Sequence, residues 1–459
     1  MRLTTLAHCA TVLLLLLSPL AANAADTPAD RAAPGVDALP AIALARAPDG
    51  RWTVRYALPA PATRLVFSRP DTHGTRARDW VPLDPAFRIA VEDGIEVVRR
   101  QDGRAFREAA FAMRPLYVSL EKDYAPFSPF GDGGLLLYTG RFHACADRCD
   151  GLDAPAWRLT LVPPANQHAI VGGRVMDTVD VMDGEDGTNL YVGSAVPVET
   201  PDVVAVIDAA MPTDIRTRLT TLLPRLMAVY AGQLGALPTK PMLFASRDAA
   251  HPGGGYGYQG GTLPGQVFMH LYGDNPAFAT PAFAGRLDAF FAHEAAHLYQ
   301  HYPEAAQADT WIHEGGADAL AAVALRQLGE GDPAAVPVQL AQARTACATS
   351  LAAGPLAEAG TRGDFDAYYR CGFVLQMAVD AAVRRASNGQ CDLFCVWRDF
   401  QGRVRNGAPW TSATFIAAAR SRGGDAVAEF LRTATEGRAE APGALLASGM
   451  AASGLPAAE

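Results

Sequence analysis

The stretch "FFAHEAAHLYQH", Phe290–His301, carries three histidines spaced four apart: His293, His297 and His301. On an α-helix residues i and i+4 share a face, so adjacent members of this row lie one above the other. His293-Glu294-Ala295-Ala296-His297 then reads as two metal ligands. Their imidazoles can reach one zinc ion at about 2.0–2.1 Å, while Glu294 stands beside it as a base for water. His301 lies eight residues beyond His293, a rise of about 12 Å, too far for both to bind one ion. It reads as a helix-end residue, favoured there by the macrodipole. Leu287, Phe291, Ala295 and Leu298 supply the apolar face that would bury the helix. An amphipathic helix with two chance histidines has the same pattern, so a third ligand has to be found.

The next cluster is "WIHEGGAD", Trp311–Asp318. A second, antiparallel helix starting here can bring the carboxylate of Glu314 back to the two histidines as the third ligand. Asp318 lies one turn further on the same face, placed to accept a hydrogen bond from a ligand imidazole and fix its tautomer. Gly315 and Gly316 remove side-chain bulk where two helices approach closely. His313 reads as a neighbour of the ligand.

HEAAH followed by WIHEGGAD resembles the gluzincin metallopeptidases, especially their aminopeptidase N and glycyl aminopeptidase branches with a WxxEG segment. "YYRCG", Tyr368–Gly372, is similar to the YYxKG motif of the glycyl aminopeptidase-like branch. The resemblance covers residues 200 to 400 and implies an α+β multidomain chain. An N-terminal β-sandwich-like domain, a thermolysin-like zinc catalytic domain and a helical C-terminal region are expected. It implies hydrolysis of a peptide bond in a peptide or protein substrate, with zinc held by His293, His297 and Glu314 and with Glu294 as general base. Tyr369 matches the tyrosine that stabilises the oxyanion, with Tyr368 as its competitor. Cys371 replaces the motif's lysine. Where aminopeptidases of this clan carry a GxMEN-like strand whose glutamate grips the substrate's amino group, this chain has "GYQGGTLPG", without an acid. Amino- and endopeptidase action both stay open. So do a zinc hydrolase of a non-peptide amide or ester, and an inactive binding or assembly protein of the same fold.

The rest of the chain sets the frame. At 459 residues it has room for two or three domains of about 150 residues each. Its 49% hydrophobic and 19% charged residues are those of a globular protein. A formal charge of -9, with no run of Lys or Arg, excludes nucleic acid as a partner. Arg2, the apolar "TVLLLLLSPL" and the small residues of "ANAA" predict a signal peptide over 1–24, and hence a periplasmic or secreted protein. No later stretch is long and apolar enough for a stable membrane anchor. Oligomeric state is not legible.

Without Cys9, six of the seven cysteines remain, which permit 15 connectivities. Cys145 with Cys149 and Cys391 with Cys395 form short-loop pairs, leaving Cys347 for Cys371. Metal binding by the CxxxC pairs is the rival reading.

Residues 25–200 are strand-rich, in runs such as "RWTVRYALP", "PLYVSLEK" and "WRLTLVPP". The catalytic domain is expected over 201–330. It begins with a helix capped by Thr213 or Asp214 and contains a strand, "PMLFAS". Gly255, Gly257 and Gly260 satisfy GxGxxG, but "GTLPGQVF" follows instead of a helix, so the segment reads as a flexible or edge-strand loop near the site. Residues 331–459 are mainly helical, with "DAYYRCGFVLQMAVDAAVRRASNG" the strongest helix after a Pro-rich break.

Overall fold

The computed structural model describes residues 39–455, apart from 48–49, 72–73, 121–122, 150–154, 185, 304–305 and 332–333. The expected signal peptide lies outside the described residues.

The N-terminal part builds three sheets of six, four and five strands. Strand Trp52–Ala62 shows why they pack: Trp52, Val54, Tyr56 and Leu58 alternate inward, the period of two that buries one face. They meet Trp157, Leu159 and Phe111 in a core of their own. Pro115–Leu120, read as a strand from its β-branched and aromatic residues, is irregular. Its Tyr117 and Leu120 bond a side chain of a distant strand instead of joining a ladder.

Next comes a five-stranded sheet of β1 (Val198–Glu199), β2 (Val204–Ile207), β3 (Met242–Asp248), β4 (Gly257–Leu263) and β5 (Gln266–Tyr272), in the order β1-β2-β3-β5-β4. β2, β3 and β5 run parallel, while β4 pairs antiparallel with β5 and forms the edge. Helix α1 (Thr213–Leu234) lies between β2 and β3. Pro212, not Thr213 or Asp214, occupies its N-cap, and no side chain caps it.

Helix α2 (Pro281–Gln300) carries the HExxH residues. Thr280 caps it by accepting from the Phe283 N–H, Pro281 opens its first turn, and His301 ends it at φ 48°. Helix α3 (Thr310–Leu328) carries "WIHEGGAD". Then follow α4 (Ala335–Ala353), α5 (Asp366–Ala386), α6 (Leu393–Arg405), α7 (Ser412–Gly423), α8 (Asp425–Glu436) and α9 (Pro442–Ser453). α4 runs through the stretch read as a Pro-rich break, since Pro337 falls in its first turn, where no intrahelical N–H is lost.

α3 and α5 touch backbone to backbone. A Cβ on Gly315 would stand 2.3 Å from Gly372, and one on Gly372 would stand 2.4 Å from the Trp311 carbonyl oxygen. The glycines therefore fix how deeply Glu314 and Tyr369 approach each other's helix. Three disulfides form, Cys145–Cys149, Cys347–Cys371 and Cys391–Cys395; the second ties α4 to α5. No helix among the described residues is long and apolar enough to cross a membrane.

Candidate active site

α2 presents His293 and His297 on one face, and their Nε2 atoms stand 2.9 Å apart. α3 brings Glu314 Oε2 to 3.6 Å from the first and 3.4 Å from the second. Among the described residues these three are the only group of His, Cys, Asp or Glu whose ligand atoms all lie within 4.8 Å of one another.

The far sides of both rings are bonded. His293 Nδ1 is 2.8 Å from Asp318 Oδ1, the contact expected of Asp318. His297 Nδ1 is 2.7 Å from Gln300 Oε1. The Gln300 amide cannot be reversed, because its Nε2 donates to the His313 carbonyl at 2.8 Å. Both Nδ1 atoms thus donate to acceptors, and both Nε2 lone pairs point into the same space beside a carboxylate.

Such a cluster draws in positive charge. Burial opposes a charge on His293, yet Asp318, Glu314 and Glu294 outweigh it and raise its pKa well above the ordinary imidazole value. Burial would raise Glu314, but the imidazoles of His297, His293 and His313 hold it well below the usual carboxylate range. A proton on His293 meets the demand where no other cation does; a bound metal cation meets it equally, and His293, His297 and Glu314 are the donors that could hold one.

Glu294 is 8% exposed, with the Thr262 hydroxyl 2.8 Å from both its Oε2 and its own carbonyl oxygen. Thr262 lies on edge strand β4, which also holds Gly257 and Gly260 of the GxGxxG segment, while Gly255 precedes the strand.

Tyr369 stacks along His293, with ring centroids 6.2 Å apart. Burial, then the charge and hydrogen bond of Glu314, raise its hydroxyl pKa. Tyr368 points elsewhere: it is 1% exposed, and its hydroxyl accepts the Gly360 N–H. His313 lies between His297 and Tyr302, stacked at 4.1 and 4.0 Å, and burial followed by the charge of His297 lowers its pKa to about 4. His301 caps the C-terminal end of α2 and is exposed, as expected of a helix-end residue, and desolvation followed by the charge of Arg405 lowers its pKa.

Sequence reasoning missed Gln300 and Thr262. Gln300 stands three residues after His297 on the same helix, a spacing that could have pointed to it. Nothing in the sequence marks Thr262.

No family model and no curated protein sequence matches the chain. Solved structures do. An aminopeptidase N family protein from Idiomarina loihiensis superimposes with a TM-score of 0.61 at 11% identity, over 88% of this chain and 76% of that one. A mutant M1 zinc metallopeptidase from Deinococcus radiodurans, bound to a Tyr-Ser-Ala substrate, gives 0.49 at 17% identity over 87% and 93%. Yeast LTA4 hydrolase gives 0.48 at 11% identity over 86% and 67%. With its N-terminal β domain, mixed sheet and helical C-terminal region, the chain is an α+β multidomain protein with the fold of an aminopeptidase N family protein.

Proposed function

We propose that the protein is an exported zinc metallopeptidase, with His293, His297 and Glu314 as the ligands, Asp318 orienting His293, and Glu294 and Tyr369 as catalytic residues. One observation carries this reading: two Nε2 atoms 2.9 Å apart, facing a carboxylate, each with its Nδ1 bonded to an acceptor. Two histidines and one carboxylate are a ligand set of catalytic zinc.

When bound, zinc supplies Lewis acidity toward a water and the scissile carbonyl. Glu294, beside the ligands and steadied by Thr262, takes a proton from the attacking water and delivers it to the leaving amine as the C–N bond breaks. Tyr369 donates its hydroxyl proton in a hydrogen bond to the oxyanion of the tetrahedral intermediate. Its raised pKa keeps that proton in place. Export is supported by the three disulfides, which persist in oxidising compartments, and by the basic-apolar-small pattern of the first 24 residues. The substrate is a peptide or protein.

Metal analysis of the purified protein together with digestion of a peptide library tests the reading. One zinc per chain with peptide cleavage is expected. Zinc without cleavage of any peptide points to a non-peptide amide or ester, and absence of stoichiometric metal overturns the proposal in favour of a binding or assembly role.

A further inference from the structure

Among the described residues, edge strand β4 has one partner, β5. The side chain of Thr262 meets Glu294, while its backbone carbonyl accepts a hydrogen bond from the Tyr124 hydroxyl at 3.1 Å. A carbonyl bonded in this way points away from β5. Along an antiparallel ladder the outward-facing residues alternate, so Gly260 and Tyr258 turn their N–H and C=O groups out as well. Both residues are partly exposed. Their side of Glu294 is an open sheet edge, to which an extended peptide can add through main-chain hydrogen bonds. The other side is different: Thr262 is covered by Tyr124, and the strand then ends at Leu263 in the Pro264-Gly265 turn.

Tyr124 is held in place from several directions. A Cβ on Gly261 would lie 2.6 Å from its ring, so only glycine there lets Tyr124 sit on the strand. Its ring packs edge-on against Phe268 at 4.6 Å and Tyr138 at 5.4 Å. The segment before it is pinned to the same strand: Tyr117 donates to Gln259 Oε1 at 2.6 Å, and Gln259 Nε2 donates to the Leu120 carbonyl at 2.5 Å. Burial, then the charge of Glu294, raise the Tyr124 hydroxyl pKa, so its proton stays on the oxygen for the bond to the Thr262 carbonyl. This wall is thus supplied by the N-terminal part of the chain.

We propose that Tyr124 is a stop that closes the substrate groove on one side of Glu294, so that a peptide laid along Tyr258 and Gly260 is cut only near one of its ends. The inference rests on the reading of the site as hydrolytic. Tyr124 acts on specificity by obstruction and takes no part in bond making.

The test uses the full-length zinc-loaded protein, linear peptides labelled at either end, and head-to-tail cyclised versions of the same peptides. The wild type is expected to release short fragments from one end and to spare the cyclic peptides. Tyr124→Ala should cut internally and open the cyclic peptides faster by roughly tenfold or more, the effect of removing a steric block worth about 1.4 kcal/mol. Tyr124→Phe keeps the ring and should retain end cleavage. Ready opening of the cyclic peptides by the wild type overturns the stop whether or not the alanine variant folds, as does an unchanged product pattern in that variant. If the zinc-loaded wild type cleaves no peptide at all, the peptidase reading itself fails and the stop with it.

Discussion

The amide oxygen of Gln300 lies 2.7 Å from Nδ1 of His297, and its amide nitrogen is committed to the His313 carbonyl 2.8 Å away. One side chain thereby fixes the tautomer of His297 and links the two helices that carry the site. Replacing Gln300 by Leu removes the acceptor without touching a ligand. Zinc affinity should fall by roughly 10–100-fold, the usual effect of losing such an outer partner. Chelator competition measures it; an unchanged affinity would show that the bond to His297 is incidental.

Tyr369→Phe removes only a hydroxyl. If that group serves the oxyanion, kcat should drop by roughly 10²–10³ with little change in KM and no loss of zinc. A variant with wild-type kcat would return Tyr369 to the status of a packed aromatic beside His293.

Gly315→Ala places a Cβ where the backbone of Gly372 stands, 2.3 Å away. Neither helix backbone can move without displacing Glu314 or Tyr369. A loss of about 1–3 kcal/mol or more is expected in urea unfolding, together with weakened metal binding. Gly232→Ala, at a helical position where an added Cβ meets nothing within 4 Å, should be neutral to stabilising. Equal stability of the two variants would contradict the close crossing.

Acid sensitivity should come in part from His270 on β5. The ring is 2% exposed, and burial followed by the charge of His251 lowers its pKa to about 3. Its Nδ1 is 2.7 Å from the Ser246 hydroxyl, and the rings of Tyr117 and Tyr272 lie against it. The folded state keeps His270 neutral, whereas the unfolded chain protonates it near pH 6.5. The unfolded state therefore binds more protons between those values, and stability falls as pH drops below about 6.5, by up to about 1.4 kcal/mol per unit from this group. Urea unfolding at pH 7 and pH 5 should show a smaller difference in His270→Asn than in the wild type. Equal differences would show that His270 does not contribute to the acid sensitivity.

How much of this was legible follows from the kind of signal each residue leaves. His293, Glu294 and His297 obey helical spacing within one element, and Glu314 and Asp318 repeat it in the next, so period alone placed them on common faces. Tyr369 needed a resemblance, because an aromatic on an apolar helix looks like core, as Tyr368 is. Thr262 meets Glu294 across 32 positions, and Tyr124 meets Thr262 across 138; contacts between distant segments leave no periodic trace. α4 was hidden by Pro337 in its first turn, and Pro115–Leu120 was misread because strand-forming residues can also line an irregular segment whose partners are side chains.

Glu294 is proposed to move the proton in a zinc-dependent peptide hydrolysis. The direct measurement is turnover of a cleaved peptide by Glu294→Gln, with zinc content determined on the same sample. Full zinc occupancy and a rate lower by roughly 10²–10⁴ are expected. Wild-type turnover in that variant would contradict that role.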